Sequence, residues 1–469
     1  MIIHYLIYAI FIYYIALHGL YLMLIIIGAT QLRRHSQGIS YGEFRRIADS
    51  PLTLPITVII PAYNEEVMIV NTVLNALNLR YPQHEVIVVN DGSADNTLQT
   101  LIEHFGLRRV DKVGQRSIPT KEILGVFESS RFPNLVVVDK ENGRRADAIN
   151  AAVLYSRYPL LCIIDADCVV EEDGLLHMAR PFLRDAQVVA AGGVVRPSNG
   201  LIVDKGRIVS VKLPKSMLAL NQEVEYARSF HWARIGLSKL NSMLCISGAF
   251  MLIKKDVFVA VGGSWSESIT DDIEFTIRLN RYVYDRDQPR RQKIAYVPDA
   301  VCYTEVPDTI RQYASQRNRW QRGTFQALLR SIGMMLNPRY GLTGLFGMPF
   351  FMIFEALSAV IETGGYVLVV VALIMGIATA GEVVLFFLLA FVLGTLLSLA
   401  AVLLKETTRL RTANRSELWR LLFAVLTDNL FFHQLHLLIR FAGTFDYFVR
   451  RRIDLGAVMV RTGSKPKEA

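Results

Sequence analysis

Apolar residues are concentrated at the two ends of the chain, and the first concentration predicts a membrane helix. Residues 2–29 are almost wholly apolar and aromatic, and about 20 such residues suffice to cross a bilayer as a helix. A secretory signal peptide is the alternative, but the segment has no basic start and no clear small-residue cleavage site. We therefore expect an uncleaved transmembrane helix over residues 1–30.

The residues that follow this segment predict its orientation. It is followed by Arg33, Arg34, Arg45 and Arg46. Because cytosolic flanks of membrane segments carry an excess of arginine and lysine, residue 31 onward is predicted to be cytosolic. Residues 31–54 are then a cytosolic linker.

The middle of the chain, residues 55–310, alternates short β-rich runs with helical patterns. Buried strands are predicted at Ile56–Ile60, Glu85–Val89, Leu135–Val138 and Leu160–Ile164, and helices near 65–78, 94–105, 144–156 and 172–183. Such alternation is typical of a largely parallel sheet. The fold class predicted is an α/β domain, a mostly parallel sheet with helices on both faces, inserted between N- and C-terminal transmembrane or interfacial helices.

The C-terminal third returns to apolar sequence and predicts further membrane helices. Runs over 365–380 and 383–404 predict two transmembrane helices within residues 363–404. Residues 311–362 are predicted to form interfacial helices. The last part of that region, 341–362, contains Pro349, Glu355 and Glu362, so an interfacial helix is favoured there over a tilted span.

Charge decides how the end of the chain is interpreted. The basic segment 405–420 is predicted to be a cytosolic loop, and the tail 447–469 is predicted to be cytosolic as well. Residues 421–446 are apolar but contain four polar side chains: Asp428, His433, His436 and Arg440. That segment is predicted only to associate with the membrane, and whether it crosses is left open.

Composition supports a membrane protein rather than a nucleic-acid binder. The 469 residues are 52% hydrophobic, and the net charge is +9. The basic residues cluster beside apolar segments and form no block of the kind that binds nucleic acid. The four cysteines make no CxxC pair, so we expect reduced thiols in a cytosolic domain.

Acidic and amide side chains follow the predicted strands, at the edge where parallel sheets bind ligands. Asn64 and Glu65 follow the first strand, Asp91 the second, and Asp165 and Asp167 the fourth. Two carboxylates at i and i+2 on a strand end can hold a divalent cation bound to a diphosphate, whereas exposed turn aspartates are the alternative. Asp91 in that position can accept a base N–H, whereas an Asp-Gly turn is its alternative.

Two further segments carry candidate chemistry at helix starts. Thr270-Asp271-Asp272-Ile273-Glu274 opens an amphipathic helix with Thr270 as its expected N-cap. One of its aspartates is a candidate general base for an acceptor hydroxyl, and a simple capping motif is the alternative. Gly143–Asn150 places Arg145 where it can meet a phosphate and Asp147 where it can meet a sugar or base edge, whereas a solvated basic turn is the alternative.

Gln316-Arg317-Asn318-Arg319-Trp320 is the most informative motif. On a helix, Gln316, Arg319 and Trp320 share one face at i, i+3 and i+4. An amide, a forked guanidinium and a flat ring suit an anionic diphosphate and a sugar. An amphipathic surface helix with its tryptophan at the membrane interface is the alternative.

Together these motifs resemble the processive membrane glycosyltransferases of family 2, such as the cellulose, hyaluronan, chitin and poly-N-acetylglucosamine synthases. The resemblance covers roughly residues 50–335 by motif. It implies a GT-A fold with a cytosolic UDP-sugar site and an interfacial helix whose Q-x-x-R-W motif lies at the mouth of a transmembrane channel.

The resemblance also implies a role for each motif residue. Asp272 would be the catalytic base, and Asp165 and Asp167 would bind the donor and its Mg²⁺ or Mn²⁺. Trp320 would stack on the acceptor sugar. The remaining donor-binding residues would be Ala62, Asn64, Glu65, Asp91, Arg145, Asp147, Gln316 and Arg319. Ile246–Phe250 resembles a segment of the N-acetylglucosamine polymerases, which makes Ser247 and Gly248 candidate acceptor contacts and favours an N-acetylhexosamine donor.

The sequence departs from the family pattern in three places. The family's T-E-D is Thr270-Asp271-Asp272, and its G-G-K-A is Gly143-Arg144-Arg145-Ala146. The first change shortens the middle side chain, and the second exchanges a lysine for the forked geometry of arginine. No cyclic-di-GMP-binding domain is recognisable, so regulation of the cellulose-synthase kind is not expected.

The function predicted is an inverting, membrane-embedded β-glycosyltransferase that polymerises sugar from a UDP-sugar, with UDP-N-acetylglucosamine favoured, and exports the polysaccharide. It is placed in the inner membrane as a multi-pass protein with a cytosolic catalytic domain. Its expected partners are the UDP-sugar, the growing polysaccharide and the bilayer, accessory membrane or export subunits being left open. The alternatives are transfer of one sugar to a lipid carrier and an inactive membrane scaffold.

Overall fold

A computed structural model of the chain describes residues 2–37, 53–115, 117–285, 292–406 and 414–454. The chain divides into two compact units. The sheet unit comprises residues 34–213 and 245–306, and the helical unit comprises residues 1–33, 214–244 and 307–459. Most of the predicted linker 31–54, the centre of the predicted loop 405–420 and most of the predicted tail 447–469 lie outside the described residues.

The sheet unit is built on a ten-stranded mixed sheet in the order β3-β4-β5-β2-β1-β6-β11-β8-β12-β7, with β9 and β10 forming a separate hairpin. The strands are β1 Ile56–Ala62, β2 His84–Asp91, β3 Leu107–Val110, β4 Ile123–Ser129, β5 Leu135–Lys140, β6 Leu160–Ile164, β7 Val169–Val170, β8 Val188–Pro197, β9 Leu201–Asp204, β10 Arg207–Val211, β11 Phe250–Lys254 and β12 Lys293–Thr304.

The four strands predicted from sequence form the parallel centre of this sheet. β1 pairs in parallel with β2 and β6, and β2 pairs in parallel with β5. Every residue of β1 and β6 is buried, as expected for strands that helices cover on both faces. Antiparallel pairs of β4 with β5 and of β11 with β6 extend the sheet on either side.

Helices of the sheet unit connect these strands. They are Ile69–Leu77, Thr97–Phe105, Arg144–Tyr155, Gly174–Arg184, Lys255–Ala260 and Asp271–Asp285. The first begins four residues later than predicted because the preceding backbone amides bond to side chains of the next loop. The amides of Asn64, Glu65 and Glu66 donate to Ser93 Oγ, Thr97 Oγ1 and Asp95 Oδ2. The two segments that follow β1 and β2 are therefore hydrogen-bonded to each other.

The helical unit contains the apolar ends of the chain. Its helical segments are Ile2–Gln37, Met217–Glu225, Tyr226–Trp232, Ala233–Lys239, Ile310–Arg330, Ile332–Met334, Pro338–Tyr340, Thr343–Gly347, Met348–Phe350, Phe351–Ala356, Ser358–Ile374, Ala380–Glu406, Arg415–Thr427, Asp428–Phe432 and His433–Phe448. Within the part of the chain that the structure describes, three helical stretches are long and apolar enough to cross a membrane: Ile3–Leu32, Ala380–Glu406 and Arg415–Phe448. A fourth candidate is the pair Thr343–Ala356 and Ser358–Ile374, which is bent by 45°.

Two of these stretches differ from the sequence-based expectation. The helix that begins at Arg415 takes in the second part of the predicted loop 405–420. Residues 343–356 and 358–374 together can form one bent span or a re-entrant loop. This finding is compatible with a span over 341–362 and does not exclude the favoured interfacial helix. The segment 421–446 lies within a stretch long enough to cross.

A helical run over residues 217–239 was not predicted, because its charged residues hide its apolar face. It packs closely on the N-terminal helix: a side chain added at Gly236 would lie 2.6 Å from the backbone oxygen of Leu24. Trp232 from the same run is buried and donates from Nε1 to the carbonyl of Ala401 at 2.9 Å. The run is therefore a structural part of the helical unit.

Candidate active site

Asp165, Asp167 and Cys168 form the one group of potential metal ligands that the described residues contain. Their ligand atoms all lie within 4.8 Å of one another, just beyond the end of β6. Asp167 is buried and accepts a hydrogen bond from Thr304 Oγ1 at 2.9 Å. Burial raises the pKa of the Cys168 thiol well above its ordinary value, which disfavours the thiolate form.

Arg145 is the side chain that connects this group to the start of the helix Asp271–Asp285. Its Nε donates to Asp165 Oδ1 at 2.7 Å, its Nη1 pairs with Asp271, and its Nη2 donates to the carbonyl of Gly248 at 2.8 Å. Although burial opposes it, the carboxylates of Asp165 and Asp271 raise the pKa of Arg145 above its ordinary value. The structure thus brings together four residues that the sequence assigned to separate motifs.

Asp272 lies next to that contact, at the first turn of the helix. Its Oδ1 accepts from the amide of Ile273 at 2.9 Å, and Cys245 Sγ lies 4.0 Å from its Oδ2. The predicted capping role of Thr270 is wrong, because Thr270 Oγ1 is buried and bonds to nothing among the described residues. Ser247 is placed in the turn before β11, where its carbonyl accepts from the amide of Phe250 at 3.2 Å.

The residues predicted to line a nucleotide pocket lie at the ends of β1 and β2. Ala62 is the buried last residue of β1. Asn64 has a left-handed backbone with φ of 56°, which asparagine tolerates better than most residues. Its Oδ1 accepts from the amide of Ala94 at 2.8 Å. Together with the amide of Glu65, which donates to Thr97 Oγ1, this bond holds the two loops side by side.

Asp91 and Asp147 are joined by a buried lysine that the sequence analysis missed. Lys140 Nζ lies 2.8 Å from Asp91 Oδ1 and 2.6 Å from Asp147 Oδ1. The Lys140 side chain is 0% exposed. Asp91 also accepts from the amide of Gly143 at 2.9 Å, and a side chain at Gly143 would collide with Asp147. A lysine at the last position of β5, two residues after the apolar run Leu135–Val138, was the available signal.

The Gln-Arg-Trp motif lies on the helix Ile310–Arg330 of the helical unit, as predicted. Gln316, Arg319 and Trp320 are half-buried. The unpredicted residue is Arg317, whose side chain is 1% exposed and bonds to Glu225 at 2.7 Å. Its guanidinium lies 4.2 Å from the centre of the Trp320 ring, a cation–π contact that fixes one face of the ring. Glu225 comes from the unpredicted run 217–239.

Comparison with known proteins agrees with these features. The family described as "Glycosyltransferase like family 2" matches residues 54–323, and the family "Chitin synthase" matches residues 279–433. Poly-beta-1,6-N-acetyl-D-glucosamine synthases of Staphylococcus epidermidis and of Staphylococcus aureus strain COL are 28% and 29% identical over 276 residues. That alignment covers 59% of this chain and 56% of each relative, so the similarity spans little more than half of the curated proteins.

Among solved structures, the mannosyltransferase PcManGT from Pyrobaculum calidifontis, in complex with GDP-Man and Mn²⁺, superimposes with a TM-score of 0.50. The match covers 90% of this chain and 99% of that one at 19% identity, which supports the GT-A fold alone. The first family match extends over more than half of the chain. The chain therefore belongs to glycosyltransferase family 2, and it has the GT-A fold with apolar helices at both ends that can span a membrane.

Proposed function

We propose that this protein is an inverting β-glycosyltransferase that extends a polysaccharide from a UDP-sugar, with UDP-N-acetylglucosamine as the favoured donor. The observation that carries the proposal is the cluster of Asp165, Asp167, Arg145 and Asp271 at the end of β6. It places acidic and basic groups for a charged diphosphate beside Asp272, a carboxylate that can take a proton. Similarity to poly-N-acetylglucosamine synthases supports the choice of donor and product.

The donor set of the cluster fits a divalent cation such as Mg²⁺ or Mn²⁺. Both ions prefer oxygen ligands, and they keep water and phosphate in their remaining positions. Asp165 and Asp167 would supply two carboxylates, whereas the soft sulfur of Cys168 is a poor ligand for a hard ion. Bound there, the ion would offset the negative charge that develops on the departing diphosphate.

The chain's own residues would carry the rest of the reaction. Asp272 removes the proton from the acceptor hydroxyl as its oxygen bonds to the anomeric carbon, and the bond from that carbon to the diphosphate breaks on the opposite face. Asp271 is paired with Arg145, so it anchors the site, and Asp272 is the better candidate for the base. The loops after β1 and β2, with Ala62, Asn64, Glu65, Asp91 and Asp147, would hold the nucleotide.

The helical unit would handle the acceptor. Gln316 and Arg319 are assigned to the diphosphate, and Trp320 to the acceptor sugar. Ser247 and Gly248 keep their assignment as candidate acceptor contacts. The apolar helices would embed the enzyme in the inner membrane with a cytosolic catalytic domain and give the polymer a route outward. Accessory membrane or export subunits would fit this arrangement.

Transfer of one sugar to a lipid carrier is the rival function. A lipid acceptor needs no sugar-stacking ring, whereas the Trp320 ring is held in place by Arg317. The similarity to polymer synthases also favours extension of a chain. The third candidate, an inactive scaffold, does not account for the filled acidic positions Asp165, Asp167 and Asp272.

The test is to supply membranes containing the protein with UDP-N-acetylglucosamine, UDP-glucose, UDP-glucuronate and GDP-mannose in turn. Release of nucleoside diphosphate and the size of the labelled product are measured together. We expect UDP release and a ladder of water-soluble polymer from one UDP-sugar, abolished by EDTA and restored by Mg²⁺ or Mn²⁺. A single lipid-extractable sugar would favour the rival, and no turnover with any donor would favour a scaffold.

A further inference from the structure

Arg145 is bonded to one carboxylate oxygen of Asp165, a residue of the candidate metal site. Its Nε lies 2.7 Å from Asp165 Oδ1, and its Nη1 pairs with Asp271. The third contact, from Nη2 to the carbonyl of Gly248 at 2.8 Å, fixes the plane of the guanidinium. One side chain therefore spans the strand end of β6, the segment before β11 and the start of the helix Asp271–Asp285.

A guanidinium and a divalent cation compete for the same carboxylate. The guanidinium already neutralises one charge of the pair Asp165 and Asp167, and a second cation placed beside it would be repelled at short range. A diphosphate changes this balance, because it adds negative charge that attracts both cations and offers oxygens that match the fork of an arginine.

We propose that Arg145 acts as a counter-cation of the donor site. It pairs with Asp165 in place of the metal ion while no donor is bound, and its guanidinium moves to the diphosphate when a nucleoside diphosphate binds. The inference rests on the proposed function, because it takes Asp165 and Asp167 as the metal ligands. In this arrangement, metal binding and donor binding favour each other through Arg145, in addition to the bonds between metal and phosphate. Linkage requires that coupling to be reciprocal.

The neighbouring Arg144 provides a matched control. It is exposed, next to Arg145 in sequence, and carries the same charge. No contact to Asp165 or Asp271 is present among the hydrogen bonds and ion pairs of the described residues. Arg144→Gln therefore removes one positive charge from the same turn and leaves the bond between Arg145 and Asp165 intact. Arg145→Gln removes both the charge and that bond.

Gly248 provides a second way to break the bond between Arg145 and Asp165, without any change of charge. A side-chain carbon at this position would lie 2.9 Å from Arg145 Nη2, which is too close for the present arrangement. The atom it meets is the end of a flexible side chain, so Gly248→Ala would displace the guanidinium rather than the backbone.

The experiment measures Mn²⁺ binding to the full-length protein in detergent, from the loss of the free-ion electron paramagnetic resonance signal, with and without UDP. Without UDP, we expect Arg145→Gln to bind Mn²⁺ at least about fivefold more tightly than wild type, the lower end of typical coupling. Gly248→Ala should shift in the same direction, and Arg144→Gln should match wild type. The enhancement by UDP should be smaller in Arg145→Gln than in wild type.

Asp167→Asn separates failure of this inference from failure of the proposed function. Loss of Mn²⁺ binding in Asp167→Asn, combined with unchanged donor-free affinity in Arg145→Gln, would overturn the counter-cation role alone. Unchanged Mn²⁺ binding in Asp167→Asn would overturn the metal site itself. If Arg145→Gln does not fold, Gly248→Ala decides, and equal donor-free affinity of Gly248→Ala and wild type overturns the proposal.

Discussion

Lys140 is the side chain that stabilises the two buried carboxylates of Asp91 and Asp147 beside the ends of β2 and β5. Its ammonium lies within 2.8 Å of both Asp91 and Asp147, and all three residues are buried. The sequence pointed to the two aspartates by their places after a strand and in a helix, but an ion pair between residues 140 and 91 depends on the pairing of β2 with β5. The position of Lys140 at the end of β5 could have indicated a buried charge, but its partners are set by the fold.

Replacing Lys140 by methionine should destabilise the protein strongly. The change keeps much of the side-chain volume and leaves two buried carboxylates without their shared cation, and removing one partner of a buried ion pair costs about 3–5 kcal/mol. The free energy of unfolding in urea measures the effect. Lys215→Met, at an exposed position, is the control and should stay within about 0.5 kcal/mol of wild type. Equal stability of the two variants would refute the structural role of Lys140.

Asp272 is the residue on which the proposed chemistry depends most directly. Asp272→Asn keeps the shape of the side chain and removes its ability to take a proton. We expect UDP binding close to wild type and sugar transfer slower by about 10²–10⁴, the scale of general-base catalysis. Binding is measured by calorimetry and transfer by UDP release with acceptor present.

Asp271→Asn is the matched comparison for the base assignment. Asp271 pairs with Arg145, so its loss should weaken UDP binding more than Asp272→Asn does. Normal transfer by Asp272→Asn, together with an inactive Asp271→Asn that still binds UDP, would move the base to position 271.

At the scale of elements, the sequence predicted what depends on continuous apolar runs. β1, β2, β5 and β6 were found because strands buried on both faces leave long hydrophobic stretches. The helical run 217–239 was not predicted because it contains Glu223, Glu225 and Arg228, and such charged residues are typical of a solvated surface. Their charges are satisfied only in the folded unit, where Glu223 meets Lys405 at 2.6 Å and Arg228 meets Asp428 at 3.3 Å.

The same reason hid Arg317 within a motif that was recognised. Helical periodicity places Gln316, Arg319 and Trp320 on one face, and this periodicity is confirmed by the helix Ile310–Arg330. It gives no information about what faces Arg317. Only the packing of the run 217–239 brings Glu225 to its guanidinium, so the support of the Trp320 ring could not be predicted from the motif itself.

Glu225→Gln should therefore destabilise the helical unit and loosen Trp320. Arg317 would stay charged and buried, with Nε and Nη1 already lacking partners among the described residues, and an unpaired buried charge costs about 3–5 kcal/mol. The thermal unfolding temperature of the detergent-solubilised protein reports the loss. The double variant Glu225→Gln with Arg317→Met removes the unpaired charge and should recover part of it. A double variant no more stable than Glu225→Gln would contradict this explanation.

At the scale of the whole molecule, the number of times that the chain crosses the membrane depends on one bent pair of helices. The bent pair Thr343–Ala356 and Ser358–Ile374 is either one broken span or a re-entrant loop, and the two alternatives place the turn after Ile374 on opposite sides. The apolar pattern cannot separate them, because it reports which residues avoid water and not in which direction the chain runs. The arginines after residue 30 and in 405–420 favour the broken span.

Cysteine labelling distinguishes these topologies. Met375→Cys, at an exposed position, should react with a membrane-impermeant thiol reagent added to intact cells, whereas Thr412→Cys should react only after permeabilisation. Three of the four native thiols, Cys162, Cys168 and Cys302, are buried, but Cys245 is half-buried, so the protein without an added cysteine measures the background. Reaction of Thr412→Cys in intact cells would show that the bent pair returns to the side from which it starts.

Extension of a polymer needs more than the sheet unit, and Trp320 is where that requirement can be tested. The guanidinium of Arg317 lies against the Trp320 ring, and the proposed function assigns this ring to the acceptor sugar. Trp320→Ala should still bind UDP, because Gln316 and Arg319 remain, but should make no long product; Trp320→Phe should keep part of the stacking and give shorter chains. UDP affinity and product length are measured side by side for the three proteins. Full-length polymer from Trp320→Ala would make the ring an interfacial anchor and would remove the main structural argument for a polymerase over a one-sugar transferase.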